Sequence, residues 1–192
     1  MEQQIKDYLM STYDIRRLGK KESIKLFDCG DADLNDFILK ESSLYRQALL
    51  AVSYVVEKKL EDHSVTAYFS MANDKVSLND FESKTEFNRF RKHRFVNEKR
   101  LKSYPAVKIC RLGVNREAKG LHIGSFLLDF IKSYFVVDNK TGCRFLTVDA
   151  YAAAIPFYLK NGFIPLNEED ADSETRLLYF DLETISDDDF EE

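Results

Sequence analysis

Cysteine is scarce and unpaired in this chain of 192 residues. Cys29, Cys110 and Cys143 are scattered and odd in number, and no CxxC pair or cysteine–histidine spacing of the zinc-binding kind occurs. A zinc site is therefore not expected. Cys110 and Cys143 fall inside apolar runs, where a buried free thiol is expected, and a reducing cytoplasm fits. No apolar run approaches the length of a membrane span, and the N-terminus (MEQQIKDYLM) has neither a basic lead nor an apolar core. Neither a spanning helix nor a secretory signal is expected. The three histidines, His63, His93 and His122, are too far apart to suggest a metal site or a triad. No serine elbow or paired-carboxylate pattern stands out. Excess positive charge is lacking too: the net charge of −5 argues against a surface that grips nucleic acid all over, and leaves room for a local basic patch.

What remains is the composition of a soluble globular protein, long enough to bury a substantial core in one domain. Residues 13–19 read as a short strand. Phe27-Asp28-Cys29-Gly30-Asp31 is a turn cluster, after which Asp31 or Asp33 caps a helix with Leu34, Phe37 and Ile38 on one face. Residues 50–58 and 64–71 form a hairpin around the charged turn Lys59 to His63. Residues 106–114 and 143–149 read as strands. Between them Ile123, Leu127, Phe130, Ile131 and Tyr134 keep helical spacing. Ala152 to Lys160 suits a short helix if Pro156 falls in its first turn, and Gly162 suits its end. Residues 175–182 form a last strand. The fold class this order predicts is α/β or α+β, a sheet with helices on its faces. One domain is expected over residues 1–182, with a basic, partly helical insert at about 79–103. The acidic tail, residues 183–192, is expected to fray.

The stretch with most chemical content is Lys119-Gly120-Leu121-His122-Ile123-Gly124-Ser125, a small-residue turn between a strand and a helix. Such a turn aims the free amides of a helix N-terminus at an anion, with Lys119 as a cation beside them. A packing turn that merely uses its two glycines is the alternative on this stretch alone.

Two motifs in order add to this. Arg111-Leu112-Gly113-Val114 leads to a turn carrying Lys119, His122 and Gly124, and a helix follows with Ala154, Tyr158, Gly162 and Phe163. Together, over about residues 104–165, they resemble the GNAT superfamily of N-acetyltransferases. The resemblance implies a mixed, largely antiparallel central sheet with helices on both faces, and acetyl-CoA as co-substrate with no metal. Backbone groups of Leu112, Gly113 and Val114 would pair with the pantetheine arm. Amides of Lys119, Gly120, Leu121, His122, Ile123, Gly124 and Ser125 would take the pyrophosphate. Phe157 would line the cofactor site, and Tyr158 would act as general acid toward the departing thiolate. The acceptor it implies is a primary amine on a small molecule or protein. The chain departs from the family pattern at Lys119, where Arg or Gln is usual, at His122, where Gly is usual, and at Tyr151, where many relatives carry Asn. No carboxylate lies in residues 106–114 to serve as base. Asp149 is the nearest candidate, with a turn or capping role as its alternative.

A narrower resemblance is to the toxin-like GNAT proteins of type II toxin–antitoxin modules. It rests on Phe27-Asp28-Cys29-Gly30 with Leu34 and Phe37, on Tyr104-Pro105, on Arg111-Leu112 and on Phe157-Tyr158. That branch implies aminoacyl-tRNA as acceptor and an antitoxin as partner, with the basic insert meeting RNA phosphates. A homodimer, and a GNAT-like protein that binds acyl-CoA without catalysis, also stand among the expectations.

Overall fold

The computed structural model describes residues 3–60, 64–137, 141–168 and 170–185. Helix α1 (Gln3–Thr12), an element beyond those expected from the sequence, runs directly into strand β1 (Tyr13–Arg17). Asp31 then caps helix α2 (Ala32–Asp36), its carboxylate accepting from the Leu34 amide at 3.0 Å. Leu34, Phe37 and Ile38 do not lie on one regular α-helix. The helix widens through a π turn (Phe37–Glu41) into α3 (Ser42–Gln47). Strands β2 (Val52–Lys58) and β3 (Val65–Ser77) make the expected antiparallel hairpin, but β3 continues to Ser77 rather than ending near residue 71. Helix α4 (Lys84–Arg94), strand β4 (Ser103–Val114), helix α5 (Ile123–Val136), strand β5 (Phe145–Tyr151) and helix α6 (Ile155–Lys160) follow. A two-residue β6 (Ile164–Pro165) and β7 (Thr175–Asp181) complete the described elements.

The strand order is β1-β2-β3-β4-β5-β7-β6. The pairings β1–β2, β2–β3, β5–β7 and β6–β7 are antiparallel. β4 and β5 run parallel, with Ala106–Lys108 against Phe145–Thr147. A parallel pair needs a crossover, and α5 lies in the connection between these two strands. Among the described residues no helix is long and apolar enough to cross a membrane.

The chain divides into two compact units, residues 1–72 with 109–131, and residues 73–108 with 132–192. In the first, Leu18, Phe27, Phe37, Ile38, Val55, Val65 and Tyr68 form a buried cluster. Gly113 of β4 lies against it. A Cβ there would stand 2.8 Å from Tyr68 and 3.3 Å from Phe27. The Tyr68 ring has little freedom to yield, since its hydroxyl donates to the Leu34 carbonyl at 2.7 Å and it forms a T-shaped pair with the Phe27 ring. Gly113→Ala is therefore expected to destabilise the fold by about 1–3 kcal/mol, the usual cost of overpacking. Urea unfolding of the variant and the native chain checks this.

In the second unit the four phenylalanines of the basic segment are structural. Phe81, Phe87 and Phe90 are buried with Val76, Tyr104, Phe145 and Tyr179, and Phe95 packs against the same cluster. The apolar side of α4 thus closes a core, which is why a segment so rich in charge folds as a helix. Its basic residues divide accordingly. Arg94 lies 4.1 Å above the Phe90 ring and 3.6 Å from the Asp181 carboxylate, and it also donates to the Tyr179 hydroxyl. Arg91 donates to the carbonyls of Arg100 and Leu101. Lys84, Arg89, Lys92, Lys99 and Lys102 are exposed and form no ion pair among the described residues.

The tail begins less loosely than expected. Glu183 sits in a 3-10 turn (Leu182–Thr184) and pairs with Arg144, which holds its carboxyl below the usual range. The expectation of fraying otherwise falls on residues 186–192, which lie outside the described residues.

Candidate active site

The turn after β4 is held by β3 and by the Phe27–Gly30 turn. Asn115 N donates to Thr66 O on β3 at 2.8 Å and Arg116 N donates to Asp28 O at 2.9 Å. The Arg116 guanidinium also lies 3.2 Å from the Asp28 carboxylate. Asp28 is in turn fixed by the Asn35 side-chain amide and the Gly30 amide, at 2.9 and 2.8 Å. These two hydrogen bonds, with help from the Arg116 and Lys119 charges, hold its carboxyl below the usual range. Asn35 and Arg116 carry no signal in the sequence and Asp28 is marked only by its turn motif, because their meeting joins segments more than eighty residues apart in the chain.

From that base a 3-10 turn (Arg116–Ala118) leads into residues 119–125. Lys119, Gly120, Leu121 and His122 are exposed, Ile123 is buried, and Gly124 and Ser125 are half-buried. Lys119 N and Leu121 N turn back to Arg116 O and Ala118 O at 3.3 and 3.4 Å. The first helical amides, on Ile123, Gly124 and Ser125, have no acceptor one turn earlier in their own helix. The first backbone bond across this turn is Phe126 N to His122 O, at 3.0 Å. Gly120 has φ 85, and a Cβ at this position would meet nothing within 4 Å, so the backbone faces open space. The arrangement fits an anion: free amides, the positive end of a helix dipole and an exposed lysine, with no acidic residue in the first turn of the helix.

His122 also has φ 60, in the left-handed region. That conformation explains why glycine is the usual occupant, and histidine is among the side chains that adopt it more readily than most. The buried face of α5 is broader than the spacing indicates. Ile123, Phe126, Leu127, Leu128 and Ile131 are buried, whereas Tyr134 is 49% exposed and does not continue the stripe.

The second unit holds the other motif. Ala152–Ala154 form a 3-10 turn, and Pro156 falls in the first turn of α6, where its missing amide costs no helical hydrogen bond. Gly162, at φ 82, follows the end of the helix, and Phe163 N returns to Tyr158 O at 3.1 Å. Asn161 braces the same end, donating from its side chain to Phe157 O at 2.7 Å and accepting the buried Lys132 ammonium on its carbonyl at 2.7 Å. The Tyr158 ring meets Phe157 and Phe163 edge-on, with centroids 5.1 and 5.4 Å away. Tyr158 is 6% exposed and Phe157 half-buried. Burial is the sole cause that raises the Tyr158 pKa above its ordinary value, and no hydrogen bond or charge offsets it. The phenol is held protonated.

Comparison with known proteins decides the family. A family model described as an acetyltransferase (GNAT) domain matches residues 59–183. The chain belongs to the GNAT acetyltransferase family. It is an N-acetyltransferase by that membership. No curated protein sequence matches it. Solved GNAT structures share its fold at low identity. A Tyr-to-Phe variant of KacT superposes with TM-score 0.72 at 20% identity, covering 90% of this chain and 96% of that one. AtaT complexed with acetyl-methionyl-tRNAfMet gives 0.67 at 22%, covering 90% and 96%. A variant of the AtaT toxin bound to the C-terminus of the antitoxin AtaR and to acetyl-CoA gives 0.64 at 20%, covering 90% and 95%.

In this GNAT chain the candidate base is engaged. The Asp149 carboxylate, on β5, pairs with the Lys108 ammonium on β4. Tyr151, two residues further, is half exposed. The thiols also differ from expectation. Cys29 is the buried one, its sulfur 3.2 Å from the Asn35 side-chain oxygen, whereas Cys110 and Cys143 are only partly buried. Cys143 sits at a strand entrance rather than in a core position, and burial still pushes its thiol up to about 11. All three are free. Among the described residues no group of three His, Cys, Asp or Glu side chains could hold a metal ion.

Proposed function

We propose that this GNAT enzyme transfers the acetyl group of acetyl-CoA to a primary amine by direct attack, with Tyr158 as general acid. The amine nitrogen bonds to the acetyl carbonyl carbon, the carbon–sulfur bond breaks, and the leaving thiolate takes the phenol proton. The amine releases its extra proton to water, and the Tyr158 phenolate takes a proton back from water before the next turnover. The observation that carries this reading is the Tyr158 hydroxyl itself, buried, protonated and without a hydrogen-bond partner among the described residues. The amides of residues 119–125 would hold the pyrophosphate, with Lys119 beside them, and Leu112, Gly113 and Val114 would align the pantetheine arm. Phe157 would flank the cofactor.

The acceptor we propose is the α-amine of aminoacyl-tRNA. An α-amino group, with a pKa near 8, is neutral in about one molecule in five at pH 7.4, whereas a lysine amine near 10.4 is neutral in about one in a thousand. Such an acceptor needs no dedicated base, which suits a chain whose candidate Asp149 is paired with Lys108. Fold likeness to AtaT, seen in complex with acetyl-methionyl-tRNAfMet, supports the same acceptor class. Likeness to an antitoxin-bound AtaT supports an antitoxin as the natural partner. Acting on charged tRNA would place the enzyme in the cytoplasm. The test is transfer from labelled acetyl-CoA to charged tRNA, with deacylated tRNA, free amino acids and peptides as alternatives. Label is expected on charged tRNA in an N-acetyl linkage. Transfer only to free small amines would overturn the tRNA assignment, and transfer to no amine would overturn the reaction.

A further inference from the structure

Lys132, near the end of α5, is a buried lysine to which acetyl transfer assigns no task. It is 8% exposed, in a residue type rarely buried to that degree. Its ammonium stands 4.3 Å from the Phe180 ring centre and 5.9 Å from that of Phe163, and it donates to Asn161 O at 2.7 Å. Asn161 is the C-cap of α6. A cation at that place meets the negative end of the helix dipole as well as the carbonyl it binds. Desolvating an ammonium is costly, and an apolar side chain of similar length would fill the space without that cost. Packing alone does not require the charge.

The charge bears on what holds Tyr158. The phenol hydroxyl has no hydrogen-bond partner among the described residues, so no polar contact fixes it directly. Its place is set by its backbone and by the rings of Phe157 and Phe163. That backbone belongs to a helix of six residues, too short to be stable alone. At the N-terminal end Ala154 supplies no side-chain cap. At the C-terminal end the bonds converge. Asn161 N and Phe163 N both donate to Tyr158 O, at 3.0 and 3.1 Å, and the Asn161 side chain donates to Phe157 O at 2.7 Å. These bonds tie residues 157–163 to one another, and the Lys132 bond ties them to the C-terminal part of α5.

We infer that Lys132 is a positioning residue for the general acid: by holding Asn161 O it fixes the end of α6 and so sets where the Tyr158 hydroxyl stands. The inference rests on the reading of Tyr158 as the acid. A proton donor has to come within about 2.6–3.2 Å of the atom it protonates, and about 1 Å of misplacement can cost 10²-fold in rate. An acid with no polar contact of its own is exposed to that loss wherever its helix can shift.

Lys132→Met removes the ammonium and keeps the stem. Amides of residues 157–163 are expected to exchange with solvent about tenfold faster or more, with β5 and β7 unchanged. The kcat should fall about 10- to 10²-fold while KM for acetyl-CoA stays near its native value. Lys132→Gln, which keeps a donor, should lose less on both counts. Lys132→Met combined with Tyr158→Phe should be no slower than Tyr158→Phe alone, because a group that is no longer an acid cannot be misplaced as one. Native exchange or native kcat in Lys132→Met overturns the inference. So does a raised KM in place of a lowered kcat, or a loss that adds in full to that of Tyr158→Phe. If Lys132→Met does not fold, Lys132→Gln carries the same comparisons. Tyr158→Phe at native kcat would sink the general-acid reading and this inference with it. A slow Tyr158→Phe beside a full-speed Lys132→Met sinks the inference alone.

Discussion

Tyr158→Phe is expected to lower kcat by about 10²- to 10⁴-fold, the range for losing a positioned general acid. The substitution removes one oxygen and keeps the ring, so the edge-on contacts with Phe157 and Phe163 survive and the fold should not suffer. Because the hydroxyl has no hydrogen-bond partner among the described residues, its removal strands no donor or acceptor. KM for acetyl-CoA should therefore stay near its native value while kcat falls. The pH profile offers a second check. Burial raises the Tyr158 pKa, so the native acid stays protonated through the range where an ordinary phenol, with a pKa of about 10, begins to ionise. The alkaline side of the kcat profile should show no decline from this group below that point. A variant that retains native kcat, measured by release of the CoA thiol, would make Tyr158 a packing residue.

The second large effect is on stability. Phe90→Ala should cost about 3–5 kcal/mol, as truncation of a buried aromatic does when the cavity cannot collapse. Collapse is resisted from several sides. The Phe90 ring has Phe81 at 5.1 Å and both Phe145 and Tyr179 at 5.6 Å between centroids. Phe145 and Tyr179 belong to paired strands, so moving either ring inward would strain the β5–β7 ladder. Arg94 would also lose the aromatic face it covers at 4.1 Å, while keeping its contacts with Tyr179 and Asp181. Phe90→Leu refills part of the space and should cost less than half as much. Chemical unfolding of the two variants separates the cases. Equal small losses for both would mean that α4 is a solvated appendage rather than a wall of the core.

That outcome bears on how much of this protein can be read from its residues. Segment 79–103 stands out in sequence because its charges stand out, and an insert is the natural reading. The phenylalanines at 81, 87, 90 and 95 interleave with those charges, but periodicity alone gives no partner for them. Their partners, Tyr104, Phe145 and Tyr179, come from three strands spread over the rest of the chain. The extension of β3 has a similar cause. Asn73, Asp74 and Lys75 are polar and break the apolar run, yet they remain in the strand, where Asp74 accepts the hydroxyl of the buried Thr147 on β5. A polar triplet is a turn signal until a distant partner satisfies it.

Local signals fared well where a single residue type has one physical use. Asp31 caps α2 because a short carboxylate reaches the amide three residues on. Pro156 falls in the first turn of α6, and Gly162 takes the left-handed position beyond its end, as their backbones dictate. Leu49 is the counterexample, a leucine in a glycine conformation that no propensity would propose.

By itself the sequence determined the family and the order of the main strands and helices after residue 13, because strand alternation, helical spacing and the two spaced motifs are properties of neighbours along the chain. Tertiary structure alone decided which charges are spent internally. It set Asp149 against Lys108, turned Arg46 inward, and tied Asp28 to Arg116 just before the glycine turn. The physical reason is common to all three: a charge finds its partner by distance in space, and distance along the chain carries almost no information about it.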